Sequence, residues 1–318
     1  ALVLFFVFLK DGFSPWRAFG YGVFHSVSAF CNAGFGLIGN KSLLPYVTNI
    51  PLNLTLMILT IWGGIGFSVW SNLAAWFRSR LSRRQKRKER LSLHSRLALV
   101  TTGILIVVGA LLFLVFEWNN PNTLGPLSRG DRVLASFFQS VTLRTTGFST
   151  VEQTALTSPS ILLSIVWFMI GGSPGGTAGG MKTVTISILI CTVWATLKGK
   201  SETHVFGRTI PSLALRKALT IVTLFVGLAF GMTALLAITE RSYAPSFFQL
   251  IFEVCSALST VGISQNLTPL LTIPGQIIIM VCMLIGRLGP ISLVLALVTR
   301  HKKTEGLVRY SEEDVMIG

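Results

Sequence analysis

Residues 256–264 read SALSTVGIS, a small, polar, glycine-bearing stretch set between SFFQLIFEVC (246–255) and an apolar segment that begins near Ile273. Its reading depends on the solvent. In water it is an ordinary loop, but in a bilayer non-helical backbone survives only when buried in protein or lining water. Composition decides for the bilayer. Of the 318 residues 51% are hydrophobic and only 12% charged, and the mean hydropathy is +0.67. A soluble domain carries about a quarter charged residues.

The apolar residues come in runs that match the roughly 20 residues a helix needs to cross. No charge falls between Arg96 and Glu117, between Lys217 and Glu240, or between Lys41 and Arg78, and the stretches Glu152–Lys182 and Glu253–Arg287 are equally bare. A soluble core is the alternative, and runs of this length count against it. The net charge of +15 raises nucleic acid as a partner. However, 17 of the 27 basic residues sit in three clusters between spans, at 78–96, 198–217 and 300–303, without aromatic or motif company. That is the positive-inside pattern and puts the clusters in the cytoplasm, with no nucleic acid implied.

Cys31, Cys191, Cys255 and Cys282 are irregularly spaced in apolar surroundings and read as packing residues, with no metal site. The opening ALVLFFVFLKD lacks a basic start and a small-residue cleavage site, and its nine apolar residues are too few to span. The chain is therefore expected to begin inside a helix, as part of a longer protein.

The decisive feature is a repeat. Gly34 in FHSVSAFCNAGF, Gly147 in FFQSVTLRTTGF and Gly262 in FEVCSALSTVGI are spaced by 113 and 115 residues. Ten residues before each stands a phenylalanine (Phe24, Phe137, Phe252), and directly after each a large apolar residue. IGGSPGG and IGRLGP follow 23 residues after the second and third glycines, and WGGIGF follows the first about five residues later, as a longer outer loop would produce. Each unit reads as span, short amphipathic segment, glycine loop, span. The short segments are expected to be re-entrant, leaving the glycine loops facing a pore reached from outside.

Such a loop suits a monovalent cation. Backbone carbonyls replace its hydration oxygens without a fixed charge that would trap it, and glycine permits the conformations required. The hydroxyls of Thr145, Thr146 and Thr260 are further candidate ligands, and Thr260-Val261-Gly262 repeats the first three letters of the potassium-channel filter TVGYG. With NAGF, TTGF and TVGI in matching places, the chain resembles the Trk/Ktr/HKT superfamily of potassium transporters over essentially its whole length. GGSPGGTAGGMKT and the closing tail are most similar to the bacterial Ktr membrane subunit.

The resemblance implies an all-α integral membrane protein, with four span–pore helix–span repeats around one central pore, of which the first is missing here. Residues 1–90 would hold the repeat with filter NAGF and an incomplete first span. Residues 91–207 would hold the repeat with TTGF and a glycine-rich gate, 208–303 the repeat with TVGI, and 304–318 a cytoplasmic tail. Carried over residue by residue, the selectivity filter that binds potassium is Asn32, Ala33, Gly34 and Phe35, then Thr145, Thr146, Gly147 and Phe148, then Thr260, Val261, Gly262 and Ile263. Asn32 stands where the other loops carry threonine, which leaves two readings, a shift in selectivity or packing. Three quarters of a filter is expected not to conduct alone.

Residues 171–180 (Gly171, Gly172, Ser173, Pro174, Gly175, Gly176, Thr177, Ala178, Gly179, Gly180) place six glycines and a proline within ten positions, which breaks a helix. A phosphate loop is one reading, but Met181 separates Gly180 from Lys182-Thr183 and no strand precedes. Close helix packing through small residues is another. The resemblance implies an intramembrane gating loop below the filter. Lys182 reads either as a snorkelling side chain or as neutralising carbonyl ends. Arg287, mid-span in MVCMLIGRLGPISLVLALV, requires a partner or water. The resemblance assigns it a gating role with the loop, and the alternative is an ion pair with Glu253.

The expected function is thus the ion-conducting subunit of a potassium uptake system, with potassium as cargo and sodium as a candidate coupling ion. The alternative is a secondary transporter of another solute, using broken helices at the membrane midplane, although these repeats are parallel rather than inverted. An intramembrane hydrolase built on His25 and Ser26 lacks a matching partner, so no enzyme is expected. By resemblance the partners are a second copy in a homodimer and a cytosolic nucleotide-binding regulatory ring. Membrane lipid is the other surface the basic loops suit, and the location is the plasma membrane, multi-pass.

Overall fold

The computed structural model describes residues 1–39, 42–81 and 89–289. The basic residues at 300–303, the tail 304–318 and part of the first basic cluster lie outside the described residues. The chain is helical throughout, apart from a small antiparallel hairpin of β1 (His204–Val205) and β2 (Arg208–Thr209). That hairpin straddles the boundary drawn in the sequence between residues 207 and 208.

Each repeat uses the same parts. The first comprises α1 (Leu2–Lys10), the short α2 (Pro15–Phe30), α3 (Ile50–Ile65) and α4 (Phe67–Leu81). The second comprises α5 (Leu93–Glu117), the short α6 (Arg129–Thr142), α7 (Ser158–Met169) and α8 (Thr183–Leu197). The third comprises α9 (Ser212–Thr239), the short α10 (Phe247–Leu258) and α11 (Ile273–Leu288). Local sequence starts the short helices sharply. Pro15 follows Ser14 at α2, the Ser128 hydroxyl accepts the Asp131 N–H at α6, and Ser246 and Gln249 form a reciprocal capping box at α10. The short helices lie inward: residues 250–258 of α10 are all buried, and Phe252 packs edge-on against Phe168 of α7, ring centroids 4.9 Å apart.

The first spans α5 and α9 are continuous, and the second spans of the first two repeats are not. Among the described residues α5 and α9 alone are long and apolar enough to cross unbroken, and α3 and α4 qualify only as a pair bent by 97°. The break falls at Gly66, whose φ of 92° takes it out of the helical region. Gly289, with φ 81°, ends α11 in the same way, while residues 170–182 interrupt the middle span. Arg287 is therefore the penultimate residue of α11, beside a break, rather than the middle of a continuous span.

Three residues before each glycine break lies a glycine of close approach. A methyl on Gly63 would stand 1.8 Å from the Phe30 carbonyl oxygen, and one on Gly286 would stand 2.0 Å from that of Leu258. Both second spans thus press on the last turn of their pore helix, where any side chain would collide. The five-residue offset of the first repeat is absorbed outside the pore helix, since Asn49 caps α3 fifteen residues after Gly34 while Thr272 caps α11 ten after Gly262.

Two buried carboxylates tie first spans to second spans. Glu117, fully buried at the end of α5, accepts from the N–H (2.9 Å) and hydroxyl (2.7 Å) of Thr157, the cap of α7, and from Thr123 and Asn120. Glu240, fully buried just past α9, accepts from the hydroxyl (2.6 Å) and N–H (3.2 Å) of Thr272, the cap of α11. A carboxylate at a helix N-terminus gains from charge-assisted hydrogen bonds and from the helix dipole. Replacing Glu117 or Glu240 by alanine strands those donors and should lower the unfolding free energy by roughly 2–3 kcal/mol. Thermal unfolding in detergent reads this as a lower Tm, and an unchanged Tm would refute the tie.

Candidate functional site

The short helices deliver the three glycine loops to one place, and the loops share one backbone conformation. Asn32, Thr145 and Thr260 have φ of 50°, 65° and 54°, and the glycines two residues later have φ of 68°, 99° and 83°. Left-handed backbone at a β-branched threonine is an outlier, and here it recurs in step with the repeat. Asn32 fits the pattern because asparagine tolerates that region better than threonine.

Neighbouring loops touch through one repeated relation. A methyl on Gly34 would stand 2.3 Å from the Thr146 carbonyl oxygen, and a methyl on Gly147 would stand 2.6 Å from that of Val261. In both cases the glycine of one loop meets the carbonyl just before the glycine of the next, which is a rotational arrangement. A methyl on Gly262 would meet nothing within 4 Å among the described residues. The middle loop, flanked on both sides, is almost wholly buried, whereas Phe35 of the first loop is 70% exposed.

The carbonyls of Asn32, Ala33, Gly34, Thr145, Thr146, Gly147, Thr260, Val261 and Gly262 receive no hydrogen bond from the described residues. The next carbonyl in each loop is held by a hydroxyl of its own pore helix: Ser28 to Phe35 (2.9 Å), Thr142 to Phe148 (2.6 Å) and Ser256 to Ile263 (2.6 Å). The anchor lies seven residues back in the outer two loops and six in the middle one. The middle turn is one residue shorter, so Phe138, not Phe137, is the counterpart of Phe252. The doublet Phe137-Phe138 hid this in the sequence. The short helices also end at these loops, and their C-terminal dipoles favour a cation there.

Beneath the glycine loops lies the 171–180 segment, which reaches all three. The Thr177 hydroxyl lies 3.0 Å from the Phe30 carbonyl oxygen and 2.9 Å from Asn32 Oδ1. The Gly179 N–H donates to Thr145 Oγ1 (3.0 Å), and a methyl on Gly179 would stand 2.1 Å from Thr260 Oγ1. Asn32 Nδ2 also donates to the Arg144 carbonyl (3.3 Å), so its side chain bridges loops. The segment is pinned to the bend of the first repeat, where the N–H groups of Ser173 and Thr177 donate to the Gly64 and Gly63 carbonyls (2.8 and 3.1 Å).

Two cations hold consecutive carbonyls of this segment, Lys182 Nζ on Ala178 (2.8 Å) and Arg287 on Thr177 (3.2 Å). Both line a cavity of about 320 Å³ below it. The ion pair between Arg287 and Glu253 is not formed, since the Glu253 carboxylate accepts from Ser264, Gln265 and Thr268. Above the loops a second cavity, about 340 Å³, is lined by Gly147, Gly262, Glu152 and their neighbours.

The sequence reading overlooked Arg144. It is buried, donates to Thr102 Oγ1 (3.2 Å) and the Gly171 carbonyl (3.4 Å), and leaves Nε without a partner. The signal was present, as a lone charge directly before TTGF where the other loops carry Cys31 and Ser259. His25 and Ser26 make no nucleophile–base pair, because the Ser26 hydroxyl donates to the Gly22 carbonyl and His25 Nε2 accepts the Leu37 N–H.

Comparison with known proteins agrees with this architecture. Residues 1–305 match the family model described as TrkH, cation transport protein. The chain is 37% identical to the potassium/sodium uptake protein NtpJ of Enterococcus hirae, over all of this chain and 68% of that protein. It is likewise 37% identical to the Ktr system potassium uptake protein B of Vibrio alginolyticus, over 98% of this chain and 67% of that protein. The crystal structure of the potassium transporter TrkH from Vibrio parahaemolyticus superposes with a TM-score of 0.69 at 18% identity, covering 95% of this chain and 63% of that one. The chain thus spans about two thirds of the length of the proteins it matches.

The close approach at Gly179 yields a test. Gly179→Ala forces the segment off Ser259 and Thr260 and should cost about 1–3 kcal/mol. Gly103→Ala in α5, with nothing within 4 Å, should be neutral or stabilising by up to about 1 kcal/mol. Thermal unfolding of the two variants compares them directly, and equal effects would refute the packing.

Proposed function

The chain belongs to the TrkH family of cation transport proteins, and from that premise we propose that it is most of the ion-conducting subunit of a potassium uptake system. In this reading Asn32–Phe35, Thr145–Phe148 and Thr260–Ile263 are three quarters of the filter. The observation that carries it is the rotational relation of the glycine loops together with the nine carbonyls that the described residues leave unpaired. Such carbonyls in an apolar setting are costly unless something polar visits them, and a dehydrated monovalent cation does so without becoming trapped. Exposure of Phe35 and Gly262 supports a fourth segment closing the ring between them. The names of the Enterococcus and Vibrio relatives support potassium as cargo and, for the first, sodium beside it.

Residues 171–180 are the proposed gate. The segment lies against the inner end of every loop, and an ion leaving the filter meets it first. Lys182 and Arg287 both hold it in place and set positive charge on the exit path. As in Ktr systems, we take the full-length parent to work as a plasma-membrane homodimer with a separate cytosolic nucleotide-binding ring. Lipid would contact the basic loops.

Rubidium uptake into liposomes containing the full-length parent is the test, with potassium, sodium and lithium as competitors. Strong competition by potassium alone is the expected result. Equal competition by all three would overturn the filter and favour transport of another solute. Omitting sodium from the same assay decides coupling. Arg287→Ala should raise flux several-fold, since about 1 kcal/mol of barrier is worth roughly a factor of five. Unchanged flux per folded protein would make the arginine structural.

A further inference from the structure

The glycine loops are braced from behind by one device at matching positions. His25 stands nine residues before Gly34, and its Nε2 accepts the N–H of Leu37, three residues after that glycine, at 3.3 Å. Glu253 stands nine residues before Gly262, and its Oε1 accepts the N–H of Gln265, three residues after that glycine, at 3.1 Å. Each acceptor is itself fixed. His25 Nδ1 bonds the Tyr21 carbonyl (2.7 Å), and the Glu253 carboxylate takes the hydroxyls of Ser264 and Thr268. In the shorter middle loop the brace moves one residue along, as Thr142 does. Gln139 pairs reciprocally with Gln153 (3.0 and 3.3 Å), whose Nε2 also donates to the Val151 carbonyl (2.8 Å).

His25, Glu253, Gln139 and Gln153 are 4% exposed or less, so none reaches an ion in the pore. An imidazole and a carboxylate share little as packing residues. What they share here is an acceptor aimed at the same backbone N–H. Beyond the glycine the outer limb of a loop has left its pore helix, and this bond ties it back beside the hydroxyl anchor of Ser28 or Ser256. The spacing of the unpaired carbonyls depends on that limb, because carbonyl dipoles facing one another repel and spread unless held.

We propose that His25 and Glu253 are positioning residues that set the cation selectivity of the filter, each by fixing the outer limb of its loop through a single accepted backbone hydrogen bond. The proposal rests on the filter reading above, and its test separates the two. Rubidium uptake by the full-length parent is measured with potassium and sodium as competitors, first in the unaltered protein. Absence of potassium preference there overturns the filter reading and the brace with it.

Given that preference, Glu253→Gln keeps a carbonyl oxygen for Gln265 and should leave discrimination within about twofold. Glu253→Leu and His25→Leu remove the acceptor and should cut it by about tenfold, the equilibrium weight of one such hydrogen bond. A purely structural role would instead lower uptake in step with protein yield at a constant potassium-to-sodium ratio, and that result overturns the proposal. Should the leucine variants fail to accumulate, Ser264→Ala with Thr268→Val frees the Glu253 carboxylate while its backbone bond stays available. Discrimination within about twofold is then expected, because the accepted backbone bond persists, and a several-fold loss refutes the single-bond brace.

Discussion

A bilayer offers no water to backbone groups, so a membrane chain must satisfy every carbonyl internally or place it where something else will. Here nine carbonyls in three loops receive no hydrogen bond from the described residues, and much of the remaining structure positions them. The short helices carry the loops inward. Left-handed residues at Asn32, Thr145 and Thr260 and at the following glycines turn the carbonyls out of helical register. Hydroxyls of Ser28, Thr142 and Ser256 then return the chain to its helix immediately beyond.

The same constraint explains the glycines outside the loops. Gly63 and Gly286 let the second spans rest on the carbonyl ends of Phe30 and Leu258, and Gly179 lets the interrupting segment lie on Ser259 and Thr260. Each contact puts backbone against backbone at a distance no side chain permits. Because the second spans of the first two repeats break near there, the inner end of the loops is met by the non-helical segment 171–180 rather than by helix. In the first repeat the break is a single residue, Gly66. In the middle repeat it is a thirteen-residue stretch whose own hydrogen bonds run to two other repeats.

Much of this was legible in the sequence, because a repeat encodes geometry as spacing. Gly34, Gly147 and Gly262 marked the loops, and the five-residue offset of WGGIGF marked a longer outer loop, which the caps Asn49 and Thr272 bear out. Asn32 shares the threonines' backbone conformation while its side chain cross-links loops. What stayed hidden depends on contacts between distant segments. Glu117 and Glu240 read only as span ends, although each holds a cap some thirty to forty residues away. The one-residue contraction of the middle turn was masked by consecutive phenylalanines. Arg287 read as mid-span because hydropathy does not register a helix that ends inside an apolar run.

Arg144 shows how far the middle loop departs from its neighbours. A buried guanidinium without a carboxylate partner is costly, and among the described residues it finds only the Thr102 hydroxyl and the Gly171 carbonyl. Two features offset that cost. The residue sits two positions past the end of α6, where the helix dipole presents its negative end, and it directly precedes the open carbonyls of Thr145, Thr146 and Gly147 in the chain. The charge also links three things, since Arg144 adjoins Thr145 in the loop, bonds the first residue of the interrupting segment, and touches the first span through Thr102. Cys31 and Ser259, at the same place in the other loops, can make no such link. Among the described residues, only the repeat whose second span is interrupted by a long glycine segment carries a cation that hydrogen-bonds that segment from beside its own loop.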